Sequence, residues 1–117
     1  MSDKTAFIIP CYNEEENVED LIASCKKIIN NSGGDIDFIL VNNGSKDTTA
    51  NKLENGLGPQ IHFVNIEENI GMGNGIKKGL EFAIKSKDYK NFGWTHADLQ
   101  IPQKSLIKAL EIMDSEK

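Results

Sequence analysis

The segment Thr95-His-Ala-Asp-Leu-Gln-Ile-Pro102 sets an imidazole, a carboxylate and an amide at alternate positions: His96, Asp98 and Gln100. In an extended backbone alternate side chains point to one side, so the three project together if the strand entering the segment stays extended. Imidazole nitrogen, carboxylate oxygen and amide oxygen all bind divalent cations, with Mg2+ favouring the oxygens. The triplet is a candidate cation site, weaker in charge than a pair of acids. The competing explanation is a surface turn with a stray histidine.

Three other polar segments could meet a ligand. In "PCYNEEE" (10 to 16), Tyr12 offers a flat face for a base, and Asn13 and Glu14 offer polar contacts to a ribose; a strand stop followed by a helix cap explains the same residues. In "VNNGSKDTT" (41 to 49), Asn42 and Asn43 directly follow an apolar run, where unpaired amides are costly. A side-chain amide can accept from a pyrimidine N–H or donate to a ring nitrogen, whereas a turn with Gly44 at positive φ followed by a cap needs no ligand. "NIGMGNGIKKG" (69 to 79) carries Gly71, Gly73, Gly75 and Gly79. It misses the dinucleotide fingerprint, because Ile76 stands where the third glycine belongs, and it lacks the Gly-Lys-Ser/Thr of a P-loop. What remains is a loop that permits close backbone approach, with Lys77 and Lys78 near a helix start, suited either to a phosphate or sugar or to helix initiation alone. His62, inside "IHFVN", reads as structural.

These segments need elements to hold them. Four short β-rich runs, "AFIIP" (6 to 10), "IDFILV" (36 to 41), "IHFVNI" (61 to 66) and "NFGWT" (91 to 95), each give way to a turn and then to a helix-like stretch. The first helix carries Val18, Leu21, Ile22, Cys25, Ile28 and Ile29 as one stripe, with Asn13 as cap and Glu16 completing a capping box. The second is expected over 46 to 55 with Ser45 as cap. The third covers about 72 to 86 with Ile76, Leu80, Ala83 and Ile84 along one side. The fourth, about 103 to 115, presents Leu106, Ile107, Leu110 and Met113, with Pro102 at its start. Strands alternating with helices at this spacing predict an α/β fold: a three-layer α/β/α, Rossmann-like domain of about four mostly parallel strands with helices on both faces. Ligands of such sheets bind at the carboxyl ends of the strands, and all four polar segments fall on that rim.

Length and charge narrow the field. A chain of 117 residues suits a single domain, 1 to 117, with one core. Thirteen basic residues, every one a lysine, against eighteen acids give a net charge of −5, the wrong sign for a generic nucleic-acid binder. Without arginine there is no planar bidentate clamp for phosphate, so an anion must be met by lysine, backbone amides or a metal. Cys11 and Cys25, without paired histidines, form neither a zinc site nor a disulfide framework, and both are expected reduced in a cytoplasmic setting. No stretch approaches eighteen apolar residues, so neither a signal peptide nor a transmembrane segment is expected.

In this order, "IIPCYNEEENV", "ILVNNGSKDTT", "NIGMGNGIKKGLEFA" and "HADLQIPQ" resemble the nucleotide-binding half of family 2 glycosyltransferases with the GT-A fold, nearest to the polyprenyl-phosphate (dolichyl-phosphate) mannosyl- and glucosyltransferases. The family usually has Val-Asp-Asp-Gly-Ser-x-Asp-x-Thr at the second strand, and the subgroup Asp-Ala-Asp-Leu-Gln before its proline-containing helix start. The resemblance implies that Pro10, Tyr12 and Glu14 border the nucleoside, with Asn43 where the family has an aspartate against the base. It implies that Asp98 holds a divalent cation, Mg2+ or Mn2+, bridging the diphosphate, helped by Gln100 and by His96 in place of the first aspartate. Tyr12, Asn13, Asn42, Asn43, Gly71, Gly73 and Lys77 are then the residues expected to position the donor.

The implied activity is transfer of a sugar from a UDP-, GDP- or CDP-linked donor to an acceptor such as a polyprenyl phosphate, with the metal stabilising charge on the departing diphosphate and Asp98 as the catalytic residue. The chain departs from the family in two ways. Asn42, Asn43 and His96 replace carboxylates, which lowers the expected metal affinity. Only one helix is expected after "HADLQ", so the acceptor site and any general base of the family are not expected within these 117 residues. A catalytically inactive nucleotide-binding or scaffold module with the GT-A half-fold is the alternative. A sheet without its family's second half exposes an edge or apolar face, so a homo-oligomer is expected, in the cytoplasm or at the cytoplasmic face of the membrane.

Overall fold

In the computed structural model, which describes residues 4–86 and 88–97, the four apolar runs are strands. β1 (Thr5–Cys11), β2 (Ile36–Asn43), β3 (Ile61–Ile66) and β4 (Asn91–Trp94) lie in the order β3-β2-β1-β4, and every neighbouring pair is parallel. The central strands are near-continuous apolar runs, as parallel strands covered on both faces require. Alternation sends Phe7, Ile9, Cys11, Phe38 and Leu40 to one face, where they pack on α1 (Val18–Asn31) and α2 (Thr49–Asn55) through Val18, Leu21, Cys25, Ile28 and Leu53. Ala6, Ile8, Ile39 and Val41 turn to the other face and meet Ala83, Ile76 and Leu80 of α3 (Met72–Ser86). This is the three-layer α/β/α arrangement expected.

The helix starts differ from those expected. α1 begins at Val18, with Asn17 at the cap position and no side-chain cap bond. Asn13 lies in the left-handed region (φ 51°), and its groups go elsewhere. Its amide donates to Ser45 Oγ (2.9 Å) and its Oδ1 accepts from the Lys46 amide (2.8 Å). Asn13 and Glu16 therefore form no capping box, and Ser45 does not cap α2, which starts at Thr49 with the Asp47 carboxylate accepting from its amide (2.9 Å). Ile84, expected on the buried side of α3, is 61% exposed. The helix meets the sheet through Gly75, Gly79 and Ala83, with Ile76 and Leu80 packed beside them as expected. A Cβ on Gly79 would sit 2.6 Å from Ile8 Cγ2 and 2.9 Å from Val41 Cγ2, so the close approach of helix and sheet depends on its absence.

At the amino end of the sheet, Asp37 is fully buried in β2. Its carboxylate accepts from the Tyr89 hydroxyl (2.6 Å) and is within reach of His62 Nε2 (3.2 Å) and Lys4 Nζ (3.3 Å). Burial, followed by the hydrogen bond to Asp37 and its negative charge, pushes the Tyr89 phenol well above the usual tyrosine range. His62 is structural, as expected. The fourth helix, with Pro102, Leu106, Ile107, Leu110 and Met113, lies outside the described residues, as do Asp98 and Gln100. Among the described residues no helix is long and apolar enough to cross a membrane.

Candidate functional site

Strand order fixes where a cleft can open. The chain runs outward from β1 through β2 to β3, then crosses by α3 to the far side of β1 to form β4. The switch point is therefore between β1 and β4, where an open parallel sheet offers a crevice beyond its carboxyl ends. A cleft of about 350 Å3 lies there. The end of β1 contributes Pro10 and Cys11, the loop after it Tyr12 and Glu14, β2 contributes Asn43, the loop into α3 and the first residue of that helix contribute Asn69 and Met72, and the segment after β4 contributes His96 and Ala97.

Tyr12 is 42% exposed, so its ring is presented to the cleft rather than spent on the core. Its loop is held by a lattice of bonds to the β2–α2 loop. Besides the two Asn13 bonds, the Glu14 amide donates to Thr49 Oγ1 (2.8 Å), the Thr48 amide donates to Glu15 Oε2 (3.1 Å) and Lys52 Nζ donates to the Glu15 carbonyl (2.9 Å). Hydrogen bonds from the Thr48 hydroxyl and amide hold the Glu15 carboxyl below its usual range. Burial opposes the same shift in Asp47, but bonds from Thr49 and the Glu15 amide outweigh it and lower that carboxyl too.

Asn42 and Asn43 are both buried and both paired within the protein. Asn42 Nδ2 donates to Asn65 Oδ1 (2.8 Å) and its Oδ1 accepts from the Ser45 amide (3.3 Å), so it ties β2 to β3 and does not line the cleft. Asn43 Nδ2 donates to the Gly71 carbonyl (3.0 Å), and its Oδ1 accepts from the Ile70 amide (3.1 Å). The desolvation cost that marks two amides after an apolar strand is met here by the loops. Gly44, between them and α2, has φ 70°, and a Cβ there would collide with the backbone of Glu68 and Asn69.

Cys11 lines the cleft as a buried thiol whose ionisation is disfavoured. It is fully buried, its thiol donates to the Ile9 carbonyl (3.5 Å), and burial, then the charge of Glu14, raises its pKa far above the usual thiol value. Burial likewise pushes Cys25 up to about 12, and both cysteines are free. His96 is exposed at the cleft, its ring edge-on to Trp94 with centroids 5.0 Å apart. The described lining thus offers one imidazole, one carboxylate (Glu14) and no lysine. Lys77 is exposed on α3 and is not among those lining residues, nor are Gly73 and Gly71; Gly71 serves through its carbonyl and a positive φ of 87°. Asn13 shapes the neighbouring loop rather than the cleft wall.

Sequence reasoning missed Cys11, Asn69, Met72 and Ala97. Asn69 carried a signal: an asparagine before a glycine loop can bond its own backbone two residues on, and the Gly71 amide does donate to Asn69 Oδ1 (2.7 Å). Nothing in the type of Met72 marks it.

Comparison with known proteins places this geometry. The model for "Glycosyl transferase family 2" matches residues 6–117. The chain belongs to glycosyl transferase family 2. An uncharacterized protein of Methanocaldococcus jannaschii is 30% identical over 112 residues, covering 89% of this chain and 45% of that protein. The undecaprenyl-phosphate 4-deoxy-4-formamido-L-arabinose transferase of Shewanella sediminis is 32% identical over 82 residues, covering 68% of this chain and 25% of the relative. The solved structure of Staphylococcus aureus TarS, residues 1–349, superposes with a TM-score of 0.66 at 22% identity over 96% of this chain and 32% of TarS. The parallel sheet flanked by helices is thus the GT-A, Rossmann-like fold, and the family 2 chain spans less than half the length of these curated relatives.

Proposed function

We propose that the cleft between β1 and β4 binds the nucleotide part of a nucleoside-diphosphate sugar, and that the protein takes part in transferring that sugar to an acceptor, with a polyprenyl phosphate as the acceptor class suggested by the Shewanella relative. The observation that carries this reading is the convergence of Tyr12, Glu14, Asn43 and His96, from three separate segments of a family 2 chain, on one cleft at the topological switch point. Its volume of about 350 Å3 is at the lower end of small-molecule sites, suited to a nucleoside. Tyr12 provides the stacking face and Glu14 a carboxylate acceptor for ribose hydroxyls.

A diphosphate brings negative charge to a wall whose described residues include no lysine and one carboxylate. That imbalance favours recruitment of Mg2+ or Mn2+, for which His96 supplies a nitrogen donor at the cleft. Asp98 and Gln100, close in sequence and outside the described residues, are the oxygen donors of the same proposal. A bound cation supplies Lewis-acid stabilisation of charge on the leaving diphosphate. A phosphate acceptor is already ionised and needs little help from a protein base.

The second reading, a module that binds nucleotide without catalysis, is favoured by the neutral amides at Asn42 and Asn43. Calorimetric titration with UDP, GDP and CDP, each with and without Mn2+, tests both. Metal-dependent binding that is lost in Asp98→Ala supports the transferase reading. Metal-independent binding favours the module, and no binding of any of the three overturns both.

A further inference from the structure

Asn43 stands where the resemblance places a base-reading aspartate, yet the geometry gives its amide a different task. The side chain is 3% exposed and both of its polar atoms are engaged by the loop into α3. The Gly71 carbonyl that accepts from Asn43 Nδ2 also accepts from the Gly75 amide (2.9 Å), the first turn of α3. A Cβ on Gly75 would lie 2.8 Å from Asn43 Nδ2, so the amide is packed between loop and helix. One side chain thereby joins the end of β2, the glycine loop and the start of α3, and that loop carries Asn69 and Met72 to the cleft.

We infer that Asn43 is a positioning residue, which fixes the 69–72 loop as a wall of the cleft and does not read the base. For its effect on binding the inference rests on the proposed nucleotide cleft; for its effect on the loop it does not. An amide presents a donor and an acceptor side by side without titrating, whereas a carboxylate presents two acceptors. In Asn43→Asp the ionised group opposes the Gly71 carbonyl with a lone pair, which pushes the loop away and strains the bond from Ile70 as well. When protonated it again offers one donor and one acceptor, and burial raises the pH at which that happens.

The test is amide hydrogen exchange, expressed as protection factors, at Ile70, Gly71 and Gly75. Asn43→Asp is expected to lose roughly tenfold protection there at pH 7 and to regain it toward pH 5, with β2 amides unchanged and the wild type flat over the same range. Wild-type protection of the loop in the variant at pH 7 overturns the inference. Gly75→Ala, whose methyl presses on Nδ2, is the second variant should Asn43→Asp not fold, with the same loss expected at Ile70 and the same overturning result. In parallel, UDP, GDP and CDP are titrated into both proteins. All three are expected to weaken by a similar factor with their rank order kept; a changed rank order makes Asn43 a base reader and overturns the inference. If the wild type binds none of them, the proposed function fails while the exchange result still decides the role of Asn43.

Discussion

The two ends of β2 solve the same problem in opposite ways. Every residue of the strand is buried, so any polar side chain on it must find a partner inside the protein. Near the amino end the solution is a charge: Asp37, closed off by Tyr89, His62 and Lys4 from three other segments. At the carboxyl end it is a pair of neutral amides, Asn42 and Asn43, which tie β3 and the glycine loop in place. A buried charge commits its neighbours fully, since removing any one leaves an expensive remainder. Neutral amides hold loops without imposing a field, so the adjoining cleft stays available for a ligand to bring its own charge. Burial of polar groups is common to both ends, and what separates structure from candidate function is the exposed remainder: Tyr12, Met72 and His96 at one end only.

That contrast can be broken experimentally, beginning where the effect is largest. Asp37→Ala removes the acceptor of Tyr89 and the partner of two basic groups and should cost about 3 kcal/mol in urea unfolding, while the folded fraction keeps its nucleotide affinity. Tyr12→Ala should do the reverse. It changes stability by less than about 0.5 kcal/mol but weakens nucleotide binding by about 1–2 kcal/mol, roughly tenfold, through lost stacking; equal loss of stability and binding would merge the two ends into one structural unit.

The ends should also part at opposite extremes of pH. Glu15 and Asp47 have folded-state pKa values below the usual carboxylate range, so the stability they add to the rim is present above that range and is lost as pH falls through the lowered values. Tyr89 has a raised value, so its contribution is complete below the usual tyrosine pKa of about 10 and fades as pH rises beyond it. Cys11 and Cys25 are raised as well and add an alkaline loss from the core, so Tyr89→Phe is the control that isolates the amino-end part. Hydrogen exchange by residue should show the 13–15 and 45–49 loops loosening first in acid. The smallest effect belongs to Lys77→Ala: exposed and away from the described cleft lining, it should leave nucleotide affinity unchanged within a factor of about two.

The strands were legible in sequence because buried parallel strands leave apolar runs that nothing else in the chain imitates. α3 was legible in extent and in most of its buried side, since Ile76, Leu80 and Ala83 pack on the sheet; what escaped was the close seam at Gly75 and Gly79, residues that a search for apolar side chains passes over. α1 and α2 were started too early because Asn13 and Ser45, both good caps by type, bond each other's loops instead. Whether an asparagine caps a helix or a neighbouring loop depends on which backbone amides tertiary structure brings within reach. The same limit applied to the site. Tyr12, Glu14, Asn43 and His96 were visible as polar or aromatic residues at strand ends, and Pro10 through the family resemblance, whereas Met72 reached the cleft only through the placement of the start of α3, and Asp37 gave no sign of its role as a hub.

The strand order has a consequence for assembly of the molecule in time. β1 pairs with β2, and β2 with β3, across connections of one helix each, but β4 pairs with β1 only after the whole intervening chain has been made, joining Thr5 to Asn91 and Ile8 to Trp94. Closing so long a loop is entropically the most expensive contact in the sheet. Formation of the β3-β2-β1 ribbon should therefore precede docking of β4, and the wall that carries His96 should be the last part of the cleft to arrive. The site is thus expected to be a kinetic latecomer, completed by the most non-local strand pairing among the described residues.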